Sequence, residues 1–294
     1  MQLLITDSGV GGLSVCAYAE RYLRTSGSNE AVRLTYVNAS PENDFGYNAM
    51  KSRNDKIAYF NRFLNIISDT FAPDGIYIAC NTLSVLYPDT EFSKNTKITV
   101  RGIVETGVDL MLHKLTESRE SVITIFGTPT TIEEETYSRR LEHLGIDRKR
   151  IISQACHSLA DTISEDRRGL MTKKKIQECV DASLKNTKQI EAGHLSYLAC
   201  THYGYRKEFF SEAFADKGIA TQVINPNEFV VEELFDDFKT DAELIQDKSE
   251  IIIEFISRYE IPESALETIS FFLEKISPNT VRAFTNYTYA PELF

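Results

Sequence analysis

A chain of 294 residues, 42% hydrophobic and 26% charged, is long enough for two modest domains and has the composition of a globular fold with a sizeable core, which excludes a disordered chain. Its 43 acidic residues outnumber 32 basic ones, and the formal net charge of -11 repels phosphate backbones and anionic membrane surfaces. Nucleic acid and membranes are therefore not expected partners, and no run approaches the roughly 18 apolar residues of a spanning helix.

Apolar, β-branched runs alternate with segments of helical period, the pattern of an α/β protein with a parallel sheet wrapped by helices. The first strand, Leu3 to Thr6, leads into Asp7-Ser8-Gly9-Val10-Gly11-Gly12-Leu13-Ser14 and a helix from Ser14 to Arg24. A strand at Leu34 to Asn38 precedes a helix at Asp55 to Thr70, and a third strand, Gly75 to Ala79, runs into Cys80-Asn81-Thr82. A weaker strand at Ile98 to Arg101 is followed by Ser121 to Phe126, the Thr128 to Thr131 cluster and a helix from Thr131 to Leu144. After a weak strand at Arg150 to Gln154, a helix from Thr172 to Ile190 carries Lys173-Lys174-Lys175. With Glu178 and Asp181 beside them these lysines read as a solvated face. The strand Leu195 to Ala199 ends at Cys200-Thr201-His202-Tyr203, before a helix at Tyr205 to Ala215 and a weak strand at Thr221 to Ile224. Glu228 to Asp241 is acidic. Glu250 to Tyr259 and Glu263 to Ile276 read as amphipathic helices whose apolar positions, such as Ile252, Phe255, Ile256, Phe271 and Phe272, pack on the body of the protein or on another subunit.

Cys16, Cys80, Cys156, Cys179 and Cys200 are odd in number and widely spaced, which points to free thiols in a reducing compartment. Met1 to Ile5 runs straight into a strand without a basic, then apolar, leader, so a cytoplasmic protein is expected.

Groups placed just past the carboxyl ends of parallel strands converge on a crevice, and Asp7-Ser8, Cys80-Asn81-Thr82, Thr128 to Thr131 and Cys200-Thr201-His202 all hold that position. Two cysteines, each closing an apolar strand, suit a reaction in which protons leave and join opposite faces of one carbon. One thiolate removes the proton while the other thiol delivers one, and racemisation is the plainest such reaction. A free thiol titrates near about 8.5, so each needs a neighbour that helps the proton move. Asp7 and His202 are the candidates, His202 sharing a face with Cys200 if the segment stays extended.

Each residue also has a plainer reading. A cysteine after an apolar strand is usually a small buried hydrophobe, the reading kept for Cys16, Cys156 and Cys179, and Asp7, Ser8 or Thr131 taken singly are helix caps. The glycine-rich turn is a weak dinucleotide fingerprint, because Ser14 stands where a third small residue is required and Asn38 where an acid is wanted. Zinc on Cys80, Cys200 and His202 has suitable ligands without the paired spacing of structural zinc motifs. A cysteine hydrolase built on Cys200 and His202 leaves Cys80-Asn81-Thr82 without a role.

Taken together the motifs resemble the glutamate racemase family, cofactor-independent enzymes that supply D-glutamate for bacterial peptidoglycan. Asp7 to Val15 is similar to the family's opening block, and Ala79 to Thr82 to the block of its first cysteine. Gly127 to Thr131 looks like its threonine block, Ala199 to Tyr203 like that of its second cysteine, and Gly102-Ile103-Val104-Glu105 like a further family segment. The similarity spans residues 3 to 230, and His202, where aspartate racemases carry an acid, leans toward glutamate.

The resemblance implies two similar three-layer α/β domains with mostly parallel sheets and an active site in the cleft between them. Residues 1-98 plus 208-294 would form the domain carrying Asp7 and Cys80, with a C-terminal helical tail, and 99-207 the domain carrying Cys200 and His202. It implies catalytic Cys80 and Cys200 assisted by Asp7 and His202, and substrate contacts from Asp7, Ser8, Phe45, Gly46, Asn81, Thr82, Thr131, Thr201 and His202. No cofactor and no metal are implied; the partner is an amino acid, glutamate, and the assembly a homodimer. A racemase of another amino acid such as aspartate, or a non-catalytic amino-acid binder, are the alternatives. Departures mark a divergent member: Asp44-Phe45-Gly46 stands for the family's Pro-Tyr-Gly, Asn38 for an aspartate, and His157 and Gly204 for prolines. Ser164, with Glu165 beside it, falls where an acid commonly assists the second cysteine.

Overall fold

Eight strands stand where the apolar runs predict them, and a computed structural model describes residues 1–26, 31–41, 46–185, 193–237 and 250–293. The chain divides into two compact units, Met1–Ile103 with Asn227–Phe294, and Val104–Pro226. In the first, β1 (Gln2–Asp7), β2 (Val32–Asn38), β3 (Gly75–Ile78) and β4 (Thr99–Gly102) join β9 (Ile251–Ser257) and β10 (Thr288–Tyr289) in the order β10-β9-β2-β1-β3-β4. In the second, β5 (Val122–Gly127), β6 (Ile151–Ala155), β7 (His194–Ala199) and β8 (Thr221–Ile224) lie in the order β6-β5-β7-β8. Every pairing among these strands is parallel. Helices cross between parallel strands, which is why Leu3, Leu4 and Ile5 of β1 are all fully buried and the strand reads as continuous apolar sequence.

The strand orders determine where a ligand can sit. The chain leaves β1 to form β2 on one side and returns to form β3 on the other; β5 is related to β6 and β7 in the same way. Each sheet thus has a switch point, beside β1 in the first and β5 in the second, where the loops past the carboxyl ends part and leave a crevice.

The helix Arg53–Phe71 shows how the layers close. Ser52 caps it by accepting a hydrogen bond from the Asp55 N–H at 3.1 Å, and Ala72 ends it in the left-handed region at φ 42. Phe60, Phe63, Leu64 and Ile67 recur at helical spacing, and all four are fully buried with Ile76 and Ile78 of β3.

Three expectations are corrected. Glu250 to Tyr259 is not a helix: Ile251–Ser257 is a strand, paired with β2 from Val32↔Ile251 to Asn38↔Ser257. Its isoleucines and phenylalanine suit a pleated sheet, and pairing with β2 decides what a short apolar run leaves ambiguous. Phe255 stacks on Tyr36 at 4.9 Å and meets Phe284 at 5.2 Å, so the tail completes the first unit's own core. The helix expected from Thr131 to Leu144 is two, Pro129–Glu133 and Thr136–His143, parted at Glu135 with φ 52. The units also exchange at 103/104 and 226/227 rather than 98/99 and 207/208, because β4 pairs with β3 and β8 pairs with β7. The helix Glu263–Leu273 lies inside the predicted Glu263 to Ile276. Of the acidic stretch, Val230–Asp237 is helical and residues 238–241 fall outside the described residues, as do 186–190 of the helix read as Thr172 to Ile190.

Candidate active site

In the first unit the register brings the ends of four strands, β9, β2, β1 and β3, together. Asp7 pairs with Asn38, Asn38 with Ser257, and Thr6 with Ile78, so Asp7-Ser8 lies beside Ala79-Cys80. Asp7 is 1% exposed and Cys80 5%. The Ser8 hydroxyl is 3.1 Å from the Cys80 Sγ and donates a long hydrogen bond of 3.5 Å to the Asp7 Oδ1, so Ser8 stands between carboxylate and thiol. Cys80 is extended and opens the helix Asn81–Leu86, whose first residues Asn81 and Thr82 are buried. Gly12 permits this packing: a Cβ there would lie 2.8 Å from Asp7 Oδ2 and 3.0 Å from the Ala79 Cβ. Burial pushes the Cys80 thiol up from 9.0 to about 12, and the Asp7 carboxylate adds to the rise, while hydrogen bonds from Ser8 and from the Leu83 backbone oppose it. Cys80 is therefore held as the proton-bearing thiol.

In the second unit Gly127 pairs with both Ala155 and Ala199, so the next residues, Thr128, Cys156 and Cys200, leave three adjacent strands at one level. Cys200 is 6% exposed and extended (φ -157, ψ 131), ahead of a 3-10 turn over Thr201–Arg206. Its Sγ lies 4.0 Å from the His202 Nδ1, the outer limit of a sulfur hydrogen bond, with the donor set by the imidazole tautomer. Thr201 is buried. Thr128 caps the helix Pro129–Glu133, accepting from the Thr131 N–H at 3.3 Å, and the two hydroxyls are 3.0 Å apart. Tyr203 is fully buried; its N–H donates to the Cys200 carbonyl at 3.1 Å and its hydroxyl to the Cys156 carbonyl at 3.2 Å.

Of the four strand ends expected from the sequence, those of Asp7-Ser8 and Cys80-Asn81-Thr82 lie in the first unit and those of Thr128 to Thr131 and Cys200-Thr201-His202 in the second. Phe45, with Asp44, lies outside the described residues. Gly46 opens a short 3-10 turn, Tyr47–Ala49, with nothing within 4 Å of a Cβ built on it. Asn38 is spent on the fold, donating to the Ser257 hydroxyl at 3.3 Å and accepting from the Ser40 N–H at 3.0 Å. The Ser164 hydroxyl donates to the Ala160 carbonyl of its own helix at 3.3 Å, and Glu165 is exposed. Gly204 packs closely on Asn225, whose Nδ2 and Oδ1 lie 2.5 and 2.6 Å from where a Cβ would stand, so any residue with a Cβ, proline included, would require that side chain to shift.

Tyr47 was not singled out from the sequence. It is 1% exposed, its ring meets Tyr59 and Phe60 edge-on at 5.9 and 6.3 Å, and burial raises its hydroxyl well above 10.0, with further contributions from Tyr59 and Cys80. A phenol thus neighbours the first thiol two residues past Phe45, and only its adjacency to Phe45-Gly46 pointed there.

No family model matches the chain. In sequence it is similar to the glutamate racemase of Aquifex pyrophilus, 29% identical over 245 residues that cover 82% of this chain and 85% of that one. In fold it is similar to the glutamate racemase of Campylobacter jejuni, with a TM-score of 0.69 at 24% identity, covering 93% of this chain and 98% of that one. It is also similar to the Francisella tularensis glutamate racemase solved with D-glutamate, with a TM-score of 0.68 at 21% identity and 93% of each chain covered.

Proposed function

We propose that this chain is a divergent glutamate racemase, an isomerase that interconverts L- and D-glutamate by two-base proton transfer between its cysteines and the substrate α-carbon. The observation that carries the reading is that each unit delivers one buried cysteine past the carboxyl end of a strand flanking its sheet's switch point, with a polar partner beside it: Ser8 and Asp7 at Cys80, His202 at Cys200. Sequence similarity to glutamate racemases over four fifths of the chain supports the substrate.

One thiolate takes the α-proton and the other thiol gives its proton to the opposite face of the carbanion-like centre, so the count of protons on the enzyme is unchanged in each turnover. Cys80, held as thiol by burial and Asp7, is suited to giving a proton. In the opposite direction it must act as thiolate, and Ser8 and the Leu83 N–H are placed to stabilise that charge. His202 takes the corresponding part at Cys200. The reading further holds that Asp7, Ser8, Asn81, Thr82, Thr131, Thr201 and His202 contact the substrate, and that the enzyme acts as a cytoplasmic homodimer supplying D-glutamate for peptidoglycan.

The test is proton exchange followed by NMR in deuterated water, without added cofactor, across glutamate, aspartate and several neutral amino acids. Glutamate is expected to exchange its α-hydrogen fastest, and Cys80→Ala and Cys200→Ala each to abolish racemisation. Full racemase activity in either variant would sink the two-thiol mechanism, and binding of glutamate with no exchange would make the protein a binder.

A further inference from the structure

Where the chain leaves β2 beside the first half-site, it is held by groups from three separate elements. The Ala39 N–H donates to the Asp7 carbonyl at 2.8 Å, and Asn38 is tied to Ser257. Two residues on, Pro41 is buried, and a proline has no N–H, so its carbonyl is the only backbone hydrogen-bonding group it offers. Two phenols donate to that carbonyl, matching its two lone pairs: Tyr59 of the helix Arg53–Phe71 at 3.2 Å, and Tyr259, two residues past the end of β9. Tyr59 in turn accepts from the Arg258 guanidinium at 3.3 Å, which lies over the Tyr259 ring at 5.4 Å. The Tyr259 backbone is itself fixed, its N–H donating to the Ser257 hydroxyl at 3.2 Å and its carbonyl accepting from the same hydroxyl at 2.7 Å.

The same Tyr59 reaches a second point on the chain. Its ring meets Tyr47 edge-on at 5.9 Å, with the planes 84° apart. Tyr47 opens the turn Tyr47–Ala49 and belongs to one buried cluster with Ile78, Cys80 and Leu83, against which Tyr59 is packed. One side chain thus holds both Pro41 and Tyr47, and two residues of the tail hold that side chain or share its acceptor.

We propose that Tyr59, Arg258 and Tyr259 are positioning residues, a brace from the tail that fixes the Pro41 exit and the Gly46-Tyr47 turn and so sets how tightly the first half-site holds its amino-acid substrate. The inference rests on the racemase reading of that half-site. The three residues act through Pro41 and Tyr47, without touching the substrate or the reacting carbon. Burial, with the Tyr259 phenol beside it, raises the Tyr59 hydroxyl from 10.0 against the nearby Arg258 and Arg62 charges. It therefore keeps its proton at neutral pH and donates to Pro41 while accepting from Arg258. Because two donors share one acceptor, loss of either leaves the Pro41 carbonyl paired, whereas loss of both leaves a buried carbonyl unpaired, the costly case.

The experiment compares the full-length wild type with Tyr59→Phe, Tyr259→Phe and the double variant, measuring glutamate affinity by calorimetry and racemisation by steady-state kinetics. Each single variant is expected to raise Kd and KM about twofold and the double at least about tenfold, more than the product of the singles, with kcat kept within about threefold. Arg258→Met should match the single variants, and Arg258→Lys, which keeps a cationic donor, should stay closer to the wild type. A second measurement needs no substrate. The Ala49 and Met50 amides, which donate to the Gly46 and Tyr47 carbonyls, should exchange with deuterium at least about fivefold faster in the double variant. A double variant no weaker than the product of the singles, a fall in kcat with KM unchanged, or unchanged exchange at Ala49 and Met50 overturns the brace. If the double variant does not fold, wild-type affinity and exchange in both single variants overturn it. A wild type that neither binds nor racemises glutamate refutes the racemase reading instead, and the exchange measurement then decides the brace alone.

Discussion

Ser8 is the residue whose place says most about how the first thiol works. Its hydroxyl, 3.1 Å from the Cys80 sulfur, can donate to a thiolate or accept from a thiol, and it is the one side chain that hydrogen-bonds directly to that sulfur among those lowering its pKa. A hydrogen bond to a charged group contributes roughly 1.5–3 kcal/mol, so Ser8→Ala is expected to lower kcat by about 10- to 100-fold in a protein that still folds. Steady-state kinetics in both directions checks this. A rise in KM with kcat unchanged would leave Ser8 as a substrate contact and nothing more. The neighbouring residues were legible because Asp7, Cys80 and Cys200 end conspicuous apolar strands. Tyr47 was not, because nothing in sequence spacing shows that it folds back toward Cys80.

Strands in the second sheet are pinned by a histidine as well as by backbone pairing. His194 at the start of β7 is 3% exposed, with Nε2 2.9 Å from the Thr124 hydroxyl on β5 and Nδ1 2.7 Å from the Thr221 hydroxyl on β8. Burial lowers its pKa from 6.5 to about 4. Between those values the unfolded chain binds the proton and the folded protein does not, so stability falls as pH drops from 6.5 toward 4 and levels off below it. The shift corresponds to about 3 kcal/mol, fully present above the unfolded value. Urea midpoints at pH 7.5 and 4.5 should separate by less in His194→Gln than in the wild type; equal separations would show that His194 is not the group responsible. At this scale the central strands were readable because burial on both faces makes their sequence continuously apolar. β9 was not, since a run of isoleucines beside a phenylalanine has no period that distinguishes strand from buried helix, and only the neighbouring β2 edge resolves it.

The first unit is assembled from both ends of the chain, which makes the tail part of the fold rather than an appendage. β9 covers β2, Phe255 stacks on Tyr36, and the Asn279 Nδ2 donates at 2.8 Å to the Oε1 of Glu20, which is fully buried on the helix Leu13–Ser26. Deleting residues 250–294 would expose the β2 edge and the Tyr36 ring, a template for aggregation, so the deletion is expected to be insoluble. A soluble deletion that unfolds in one cooperative transition, followed by circular dichroism, would contradict this. The sequence by itself determined the α/β class, the alternation of strands and helices, and the residues at four strand ends, because these depend on local apolar patterning and on the rule that function gathers past the carboxyl ends of parallel strands. Tertiary structure alone decided which strand ends are neighbours, that the tail returns as β9, and that the Ser8 hydroxyl reaches the Cys80 sulfur. Those facts depend on register and packing between segments far apart in the chain, where no local signal reaches.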